Sequence, residues 1–183
     1  MKKNLSLVFI LITILFSSCS SDDSNEEASS VSATVNGKEW KPTKPVIATL
    51  IKIPDVDLMR FDINFQDDSS ELFLAFESEI TTNNLMPLKA YNWYNDKTNP
   101  DKVSDALFLN SSRVDGYLYT EHSPVSGKIT ITAMDSEKKT ISGTFNFTTE
   151  KIGILQTKIV TPEIVEVTNG VFKNLSYTII TTP

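Results

Sequence analysis

The chain has 183 residues and a formal net charge of −6, and it contains a single cysteine and a single histidine. An acidic chain without a cluster of lysine and arginine repels phosphate backbones, so we predict no nucleic-acid partner. Cys19 and His122 alone cannot supply the usual nitrogen and sulfur ligands of a zinc site. The sequence therefore predicts no cofactor and no metal centre.

The first 18 residues have the pattern of a secretory signal peptide. Lys2 and Lys3 supply a positive start, and residues 5–16 are apolar apart from one serine and one threonine. A membrane-spanning helix needs about 20 apolar residues, so this stretch is too short to remain as an anchor. We predict that residues 1–18 are removed, which takes the formal charge to −8 because two lysines are lost.

Residues 16–19 read FSSC and resemble a lipobox, with phenylalanine where leucine is most common. The resemblance implies that Cys19 receives a diacylglyceryl group and becomes the first residue of the mature lipoprotein. The alternative is an ordinary secretion signal with an incidental cysteine, but an unpaired exposed thiol is unfavourable in an oxidising compartment. Each buried CH₂ of the acyl chains contributes about 0.8 kcal/mol, so attachment to the outer membrane would be effectively permanent.

Residues 19–32 are predicted to form an extended tether. Four acidic residues and six serines occur after Cys19, without any hydrophobic pattern. The stretch SSDD at 20–23 resembles the acidic export signal of Bacteroidota surface lipoproteins, which implies the outer face of the outer membrane rather than its periplasmic face. A tether that only solvates is the alternative.

The domain is expected at residues 33–183, and its first half reads as β-strands. Asn36-Gly37 is typical of a two-residue hairpin turn. Phe61, Ile63 and Phe65 alternate with polar residues, as do residues 72–76 less cleanly. Two acidic pairs interrupt the strands, Asp55/Asp57 and Asp67/Asp68. We interpret them as turn residues, with weak calcium binding as the alternative.

The segment YNWYND at 91–96 is the candidate ligand site. Tyr91, Trp93 and Tyr94 could form a sugar-stacking platform, because flat apolar sugar faces pack on aromatic rings while neighbouring amides bond the hydroxyl groups. The alternative is that Tyr91 and Trp93, which share a strand face, fill the core.

The next segment offers no catalytic constellation. Residues 102–107 permit a short helical turn. His122 precedes a proline turn, and its neighbour Ser123 points away from it, so we interpret His122 as a solvated loop residue rather than part of a triad. We predict that the protein is not an enzyme; a carboxylate-dependent hydrolase is the remote alternative.

The last third predicts long strands. Residues 134–139 read as a polar turn between two alternating runs. Asn169-Gly170 reads as a second hairpin turn, which would place Val167 opposite Phe172. The whole pattern predicts a single antiparallel β-sandwich or barrel of about eight to ten strands. The expected shared core includes these residues: Ile129, Ile131, Ile141, Phe145 and Phe147.

Four segments together resemble an uncharacterised family of Bacteroidota lipoproteins. They are ATVNGKEW at 33–40, GKITIT at 127–132, KTISGTFNF at 139–147 and VTNGVF at 167–172. The matching positions are turn glycines and inward-facing apolar residues, which carry no chemistry. The resemblance implies an all-β, lipid-anchored domain of unknown activity.

Three functional hypotheses follow. The first is a non-catalytic, surface-anchored domain that binds glycan or another extracellular ligand. The second is a structural or interaction protein of the envelope, whose partner is another protein. The third and least favoured is the carboxylate-dependent hydrolase.

Overall fold

The computed structural model describes residues 28–83, 85–93, 104–152 and 161–183. Within these ranges the chain forms twelve β-strands and one 3₁₀ turn at Pro54–Val56. The strands are β1 (Ser30–Val35), β2 (Lys38–Trp40), β3 (Ile47–Ile53), β4 (Leu58–Gln66), β5 (Ser70–Glu79), β6 (Ala90–Trp93), β7 (Ala106–Val114), β8 (Tyr117–Tyr119), β9 (His122–Asp135), β10 (Thr140–Lys151), β11 (Ile164–Ser176) and β12 (Thr178–Thr181).

The strands form two six-stranded sheets that pack face to face as a sandwich. The first sheet has the order β2-β1-β11-β10-β9-β6, and the second has the order β12-β3-β4-β5-β7-β8. The all-β prediction is confirmed, and of the two architectures left open the structure has the sandwich. More strands are present than expected because β2, β6, β8 and β12 have only three or four residues, too few to show alternation.

One strand pair departs from the expected antiparallel arrangement. β12 runs parallel to β3, with Ile179 opposite Leu50. The chain leaves β11 in the first sheet and crosses to the second sheet at Tyr177, whose ring packs edge-on against Phe61 at 5.3 Å. Because this connection passes between sheets, it does not reverse the chain as a hairpin would.

Two predicted turns are confirmed. Asn36 and Gly37 have φ angles of 47° and 76°, and Val35 pairs with Lys38 across this two-residue hairpin. The turn after β9 joins Asp135 to Thr140, and the Asp135 carboxylate accepts hydrogen bonds from two backbone N–H groups within it.

The predicted hairpin at Asn169-Gly170 is wrong. β11 runs straight through both residues, and its two halves pair with β1 and β10 rather than with each other. Asn169 has a φ angle of 52° and lies in a β-bulge, where two residues of β11 oppose one residue of β10. A Cβ on Gly170 would lie 2.5 Å from the Phe145 carbonyl oxygen, so the glycine permits close strand packing rather than a turn.

β1 begins at Ser30, because Val31 packs against the core and pairs with Phe172. The predicted helical turn at 102–107 is wrong for Ala106 and Leu107, which begin β7. Residues 102–103 lie outside the described residues.

The core between the sheets is rich in aromatic rings. Phe65 of the second sheet stacks on Phe145 of the first at a centroid distance of 5.6 Å, and Phe108 stacks on Phe147 at 5.1 Å. Such stacked pairs stabilise a core beyond the effect of area burial alone. The predicted shared core is confirmed, because all five of its members are at most 2 % exposed: Ile129, Ile131, Ile141, Phe145 and Phe147.

Glycines of the first sheet accommodate these rings. A Cβ on Gly127 would lie 2.4 Å from Cε2 of Phe108, and a Cβ on Gly143 would lie 2.6 Å from Cζ of Phe172. Real Cβ atoms do not approach ring carbons so closely, so each ring occupies space that any side chain on the glycine would fill. The packing of these rings in the core therefore depends on these glycines.

We expect Gly127→Ala to lower the free energy of unfolding by about 1–3 kcal/mol, because the added methyl group overpacks the core against Phe108. Urea unfolding at neutral pH measures this change. Phe108→Leu should cost stability by itself but relieve the clash, so the double variant should lose less than the sum of the two single losses. Additive losses would contradict the packing argument.

Candidate functional site

The predicted aromatic site lies on an edge strand of the first sheet. β6 pairs only with β9 within the described residues, with Tyr91 opposite Ile129 and Trp93 opposite Gly127. Tyr91 and Trp93 are two residues apart, so both point toward the second sheet. Tyr94 lies outside the described residues.

Tyr91 is a core residue. Its ring has no exposed surface and packs on Phe76 at a centroid distance of 4.8 Å. Its hydroxyl donates a hydrogen bond to the Pro87 carbonyl oxygen at 2.9 Å. Burial, aided by the negative charge of Asp105, raises the pKa of Tyr91 well above its usual range, so the phenol stays neutral. A ligand cannot reach this ring, and the core alternative describes Tyr91.

Trp93 differs from Tyr91 in having part of its surface exposed. It packs against the rim of the core, and its indole Nε1 is buried without a hydrogen-bond acceptor among the described residues. A buried donor without a partner costs about 1–3 kcal/mol, so native structures rarely contain one without a reason. Trp93 thus has both a ring at the rim and an unused donor.

A pocket of about 160 Å³ adjoins the Trp93 ring. It lies where β6 of the first sheet meets β4, β5 and the start of β7 in the second. Its apolar wall includes Phe76 and Leu107, and its polar wall includes Arg60, Glu77 and Asp105. The combination of an aromatic surface with a few converging polar groups is typical of small-ligand sites.

Asp105 is held rigidly by contacts to both sheets. One carboxylate oxygen accepts a hydrogen bond from the Asn92 N–H at 2.5 Å, and the other pairs with Lys89 Nζ at 3.0 Å. Its backbone carbonyl accepts from the Glu77 N–H at 2.9 Å. Asp105 therefore links β6 to β5 beside the pocket.

The remaining polar groups of the pocket keep bonding capacity. The Arg60 Nε donates to the Asp62 carboxylate at 2.6 Å, while its Nη1 lies 3.9 Å from Glu77 Oε1, beyond hydrogen-bond distance. A guanidinium carries five N–H donors and a carboxylate has about four acceptor sites. Arg60 and Glu77 can therefore bond to a ligand without breaking a strong ion pair. The sequence places them far from Trp93, and no local signal connects them to it.

His122 is not the solvated loop residue that the sequence suggests. It is the first residue of β9 and is 3 % exposed. Its Nδ1 lies 3.3 Å from the Asn110 amide nitrogen, and its Nε2 lies 2.7 Å from the Pro162 carbonyl oxygen. Asn110 in turn accepts a hydrogen bond from Thr149. The interpretation failed because these partners come from distant parts of the chain; Asn110, His122 and Thr149 together tie β7 to β9 and β10.

Glu121 is a second buried polar residue that the sequence did not reveal. It is 4 % exposed, and one carboxylate oxygen accepts a hydrogen bond from the Thr161 hydroxyl. Within the described ranges the other oxygen, Oε1, has no partner. Glu121 and His122 both hold the segment that leads into β11.

The acidic pairs lie in turns. Asp57 has a φ angle of 54° at the end of the 3₁₀ turn. Asp67 accepts hydrogen bonds from the backbone N–H groups of Ser69 and Ser70 and from the Trp40 indole. Trp40 is 9 % exposed and belongs to the core.

No group of three or more potential metal-ligating side chains occurs within the described residues. In the same part of the chain, no helix has both the length and the apolar character needed to cross a membrane.

Comparison with known proteins assigns the second part of the chain to a family. Residues 75–176, from the middle of β5 to the end of β11, match the family described as a domain of unknown function (DUF6252). No curated protein and no solved structure matches the chain.

We expect Asp67→Asn to lower the free energy of unfolding at pH 7 by about 1–2 kcal/mol, because a neutral amide weakens the hydrogen bonds from Ser69, Ser70 and Trp40. Burial alone would raise the pKa of Asp67, but the hydrogen bonds from Ser69 and Ser70 outweigh it and lower the pKa. The stabilisation is therefore present above the unfolded pKa of about 3.9 and is lost as pH falls through the lower folded value.

Urea unfolding at pH 7 and near pH 3 measures this difference. Asp68→Asn is the matched control, because Asp68 is 80 % exposed and pairs with Lys44 at the surface. Equal effects of the two substitutions at pH 7 would contradict the role given to Asp67.

Proposed function

Since the chain belongs to a family described as a domain of unknown function (DUF6252), we propose a function for this member from its own site. It is a non-catalytic, lipid-anchored β-domain that binds an extracellular glycan at Trp93. The partly exposed Trp93 ring beside a pocket with Arg60, Glu77 and Asp105 is the observation that carries this proposal.

The chemistry of the pocket suits a sugar. The apolar face of a pyranose ring can stack on an indole, while the guanidinium of Arg60 and the carboxylate of Glu77 bond to its hydroxyl groups. The buried Trp93 N–H supplies one more donor if the ring shifts slightly on binding. The Trp93 N–H has no acceptor among the described residues, and Arg60 and Glu77 keep donors and acceptors beyond those that they already use, so a ligand gains these hydrogen bonds at little cost.

Binding without catalysis is favoured by the state of Asp105. Both of its carboxylate oxygens already have partners, Asn92 and Lys89, so it is better placed to position a neighbour than to transfer a proton. Glycoside hydrolysis requires two carboxylates in acid and base or nucleophile roles. Glu77 alone would not meet that requirement.

The support for a lipid anchor comes from the sequence. The signal-like residues 1–18 and the FSSC segment support lipidation at Cys19, and the acidic residues after it support export to the cell surface. Both features lie outside the described residues. The protein would then hold its glycan at the outer face of the outer membrane.

A second candidate function is binding to an envelope protein, which β12 favours. This strand is the edge of the second sheet, and its Ile179 and Ile180 are 41 % and 52 % exposed. An exposed apolar edge strand can pair with a strand of another protein. An envelope protein that co-purifies at equal stoichiometry, with no glycan bound, would favour this candidate.

We expect the purified full chain to bind members of a glycan array, and Trp93→Ala to abolish that binding. Because Trp93 is partly exposed, its truncation should cost well under the 3–5 kcal/mol typical of a buried tryptophan. Trp40→Phe is the matched control, since Trp40 is buried at the other edge of the first sheet and should not affect binding.

In the Trp40→Phe variant Trp93 is the only tryptophan, so the tryptophan fluorescence should shift when an array hit is added, and acrylamide should quench it. Glycan binding that survives Trp93→Ala would overturn the proposed site.

We expect Cys19→Ala to abolish lipidation and leave a larger, unprocessed or mislocalised protein, because the thiol is the acylated group. Metabolic labelling with a fatty-acid analogue measures this in cells. Label retained by the variant would refute the anchor.

A further inference from the structure

A second and larger pocket adjoins the Trp93 pocket. It measures about 660 Å³ and shares Glu77 and Asp105 with the first pocket. Its remaining walls include Glu79 and Ile80 at the end of β5, together with Pro87 and Lys89 before β6. The two pockets thus meet at a pair of carboxylates.

The volume of the site indicates whether it binds a single sugar unit or an oligosaccharide. Ligand pockets usually measure about 300–1,000 Å³, and the Trp93 pocket alone is smaller than this range. The adjoining pocket brings the combined site well within it. A ligand that stacks on Trp93 can therefore continue past Glu77 and Asp105 into the second pocket.

The charge of the residues that line the two pockets indicates whether the ligand is neutral or acidic. The two pockets contain three acidic residues, Glu77, Glu79 and Asp105, against the two basic residues Arg60 and Lys89. Both bases already have acidic partners, since Arg60 bonds to Asp62 and Lys89 pairs with Asp105. Among the described residues of the two pockets, a uronic acid or a sulfated sugar would therefore meet net negative charge.

We infer that the ligand is a neutral, linear oligosaccharide that stacks one residue on Trp93 and extends into the pocket beside Glu79. The inference rests on the proposed function, because it names the ligand class of the same site. Glu77 and Asp105 accept hydrogen bonds from sugar hydroxyl groups where the two pockets meet. Glu79 accepts hydrogen bonds from the sugar units farther along the oligosaccharide.

Isothermal titration of the full chain with neutral gluco-, manno- and xylo-oligosaccharides of two, four and six residues tests the length. We expect affinity to rise by about tenfold from the disaccharide to the hexasaccharide of the series that binds. Glu79→Ala should remove most of this increase, and Trp93→Ala should remove binding of every length. Glu137→Ala, an exposed substitution in the turn after β9, should change neither.

Oligo-uronates of the same lengths test the charge, and we expect them to bind at least tenfold more weakly than neutral chains. Trp93-dependent binding that is independent of length, or equal for uronates, would overturn the inference and leave the proposed function standing. Absence of any Trp93-dependent glycan binding on the array would instead overturn the proposed function itself.

Discussion

The packing of phenylalanine rings between the two sheets depends on glycines of the first sheet. Gly127, Gly143 and Gly170 come from three neighbouring strands of the first sheet, and each leaves room for a ring that a Cβ would displace. Two of the rings that fill this room, Phe108 and Phe145, belong to stacked pairs across the core. A sandwich normally gains its stability from such interdigitation, so the glycines are packing residues rather than points of backbone freedom.

The same packing reaches the candidate site. Trp93 lies opposite Gly127 in the ladder between β6 and β9, and the Phe108 ring lies over that glycine. The core therefore ends directly beside Trp93, which keeps one part of its surface toward the pocket.

The structural features that depend on neighbouring residues along the chain were predicted from the sequence. Alternation in β4 identified Phe61, Ile63 and Phe65 as core residues, since a strand with one solvent-exposed face has an apolar side chain at every second position. The dipeptide Asn-Gly shows the limit of such signals. At 36–37 it forms a hairpin turn, whereas at 169–170 it forms a bulge, because strands on both sides already hold β11. The dipeptide itself carries no information about those strands.

The candidate site was predicted only in part, for the same reason. Its aromatic residues stand together in the sequence, but Arg60, Glu77 and Asp105 reach Trp93 only through sheet order. The burial of His122 depends on Asn110 and Pro162, which lie 12 and 40 residues away along the chain. Contacts of that kind follow from which strands become neighbours, and the sequence pattern left strand order open.

The register of the first sheet also decides how the domain would present its site. Ser30, where the described domain enters β1, is five residues along that strand from Val35, and Val35 shares a ladder row with Trp93 through β11, β10 and β9. At about 3.3 Å per residue and 4.8 Å per strand, the two points differ by roughly 17 Å along the strands and 19 Å across them. For a domain tethered through the residues before Ser30, Trp93 therefore lies diagonally across the sheet from the attachment point. Under the proposed function, a long polymer bound at Trp93 would then lie away from that attachment point.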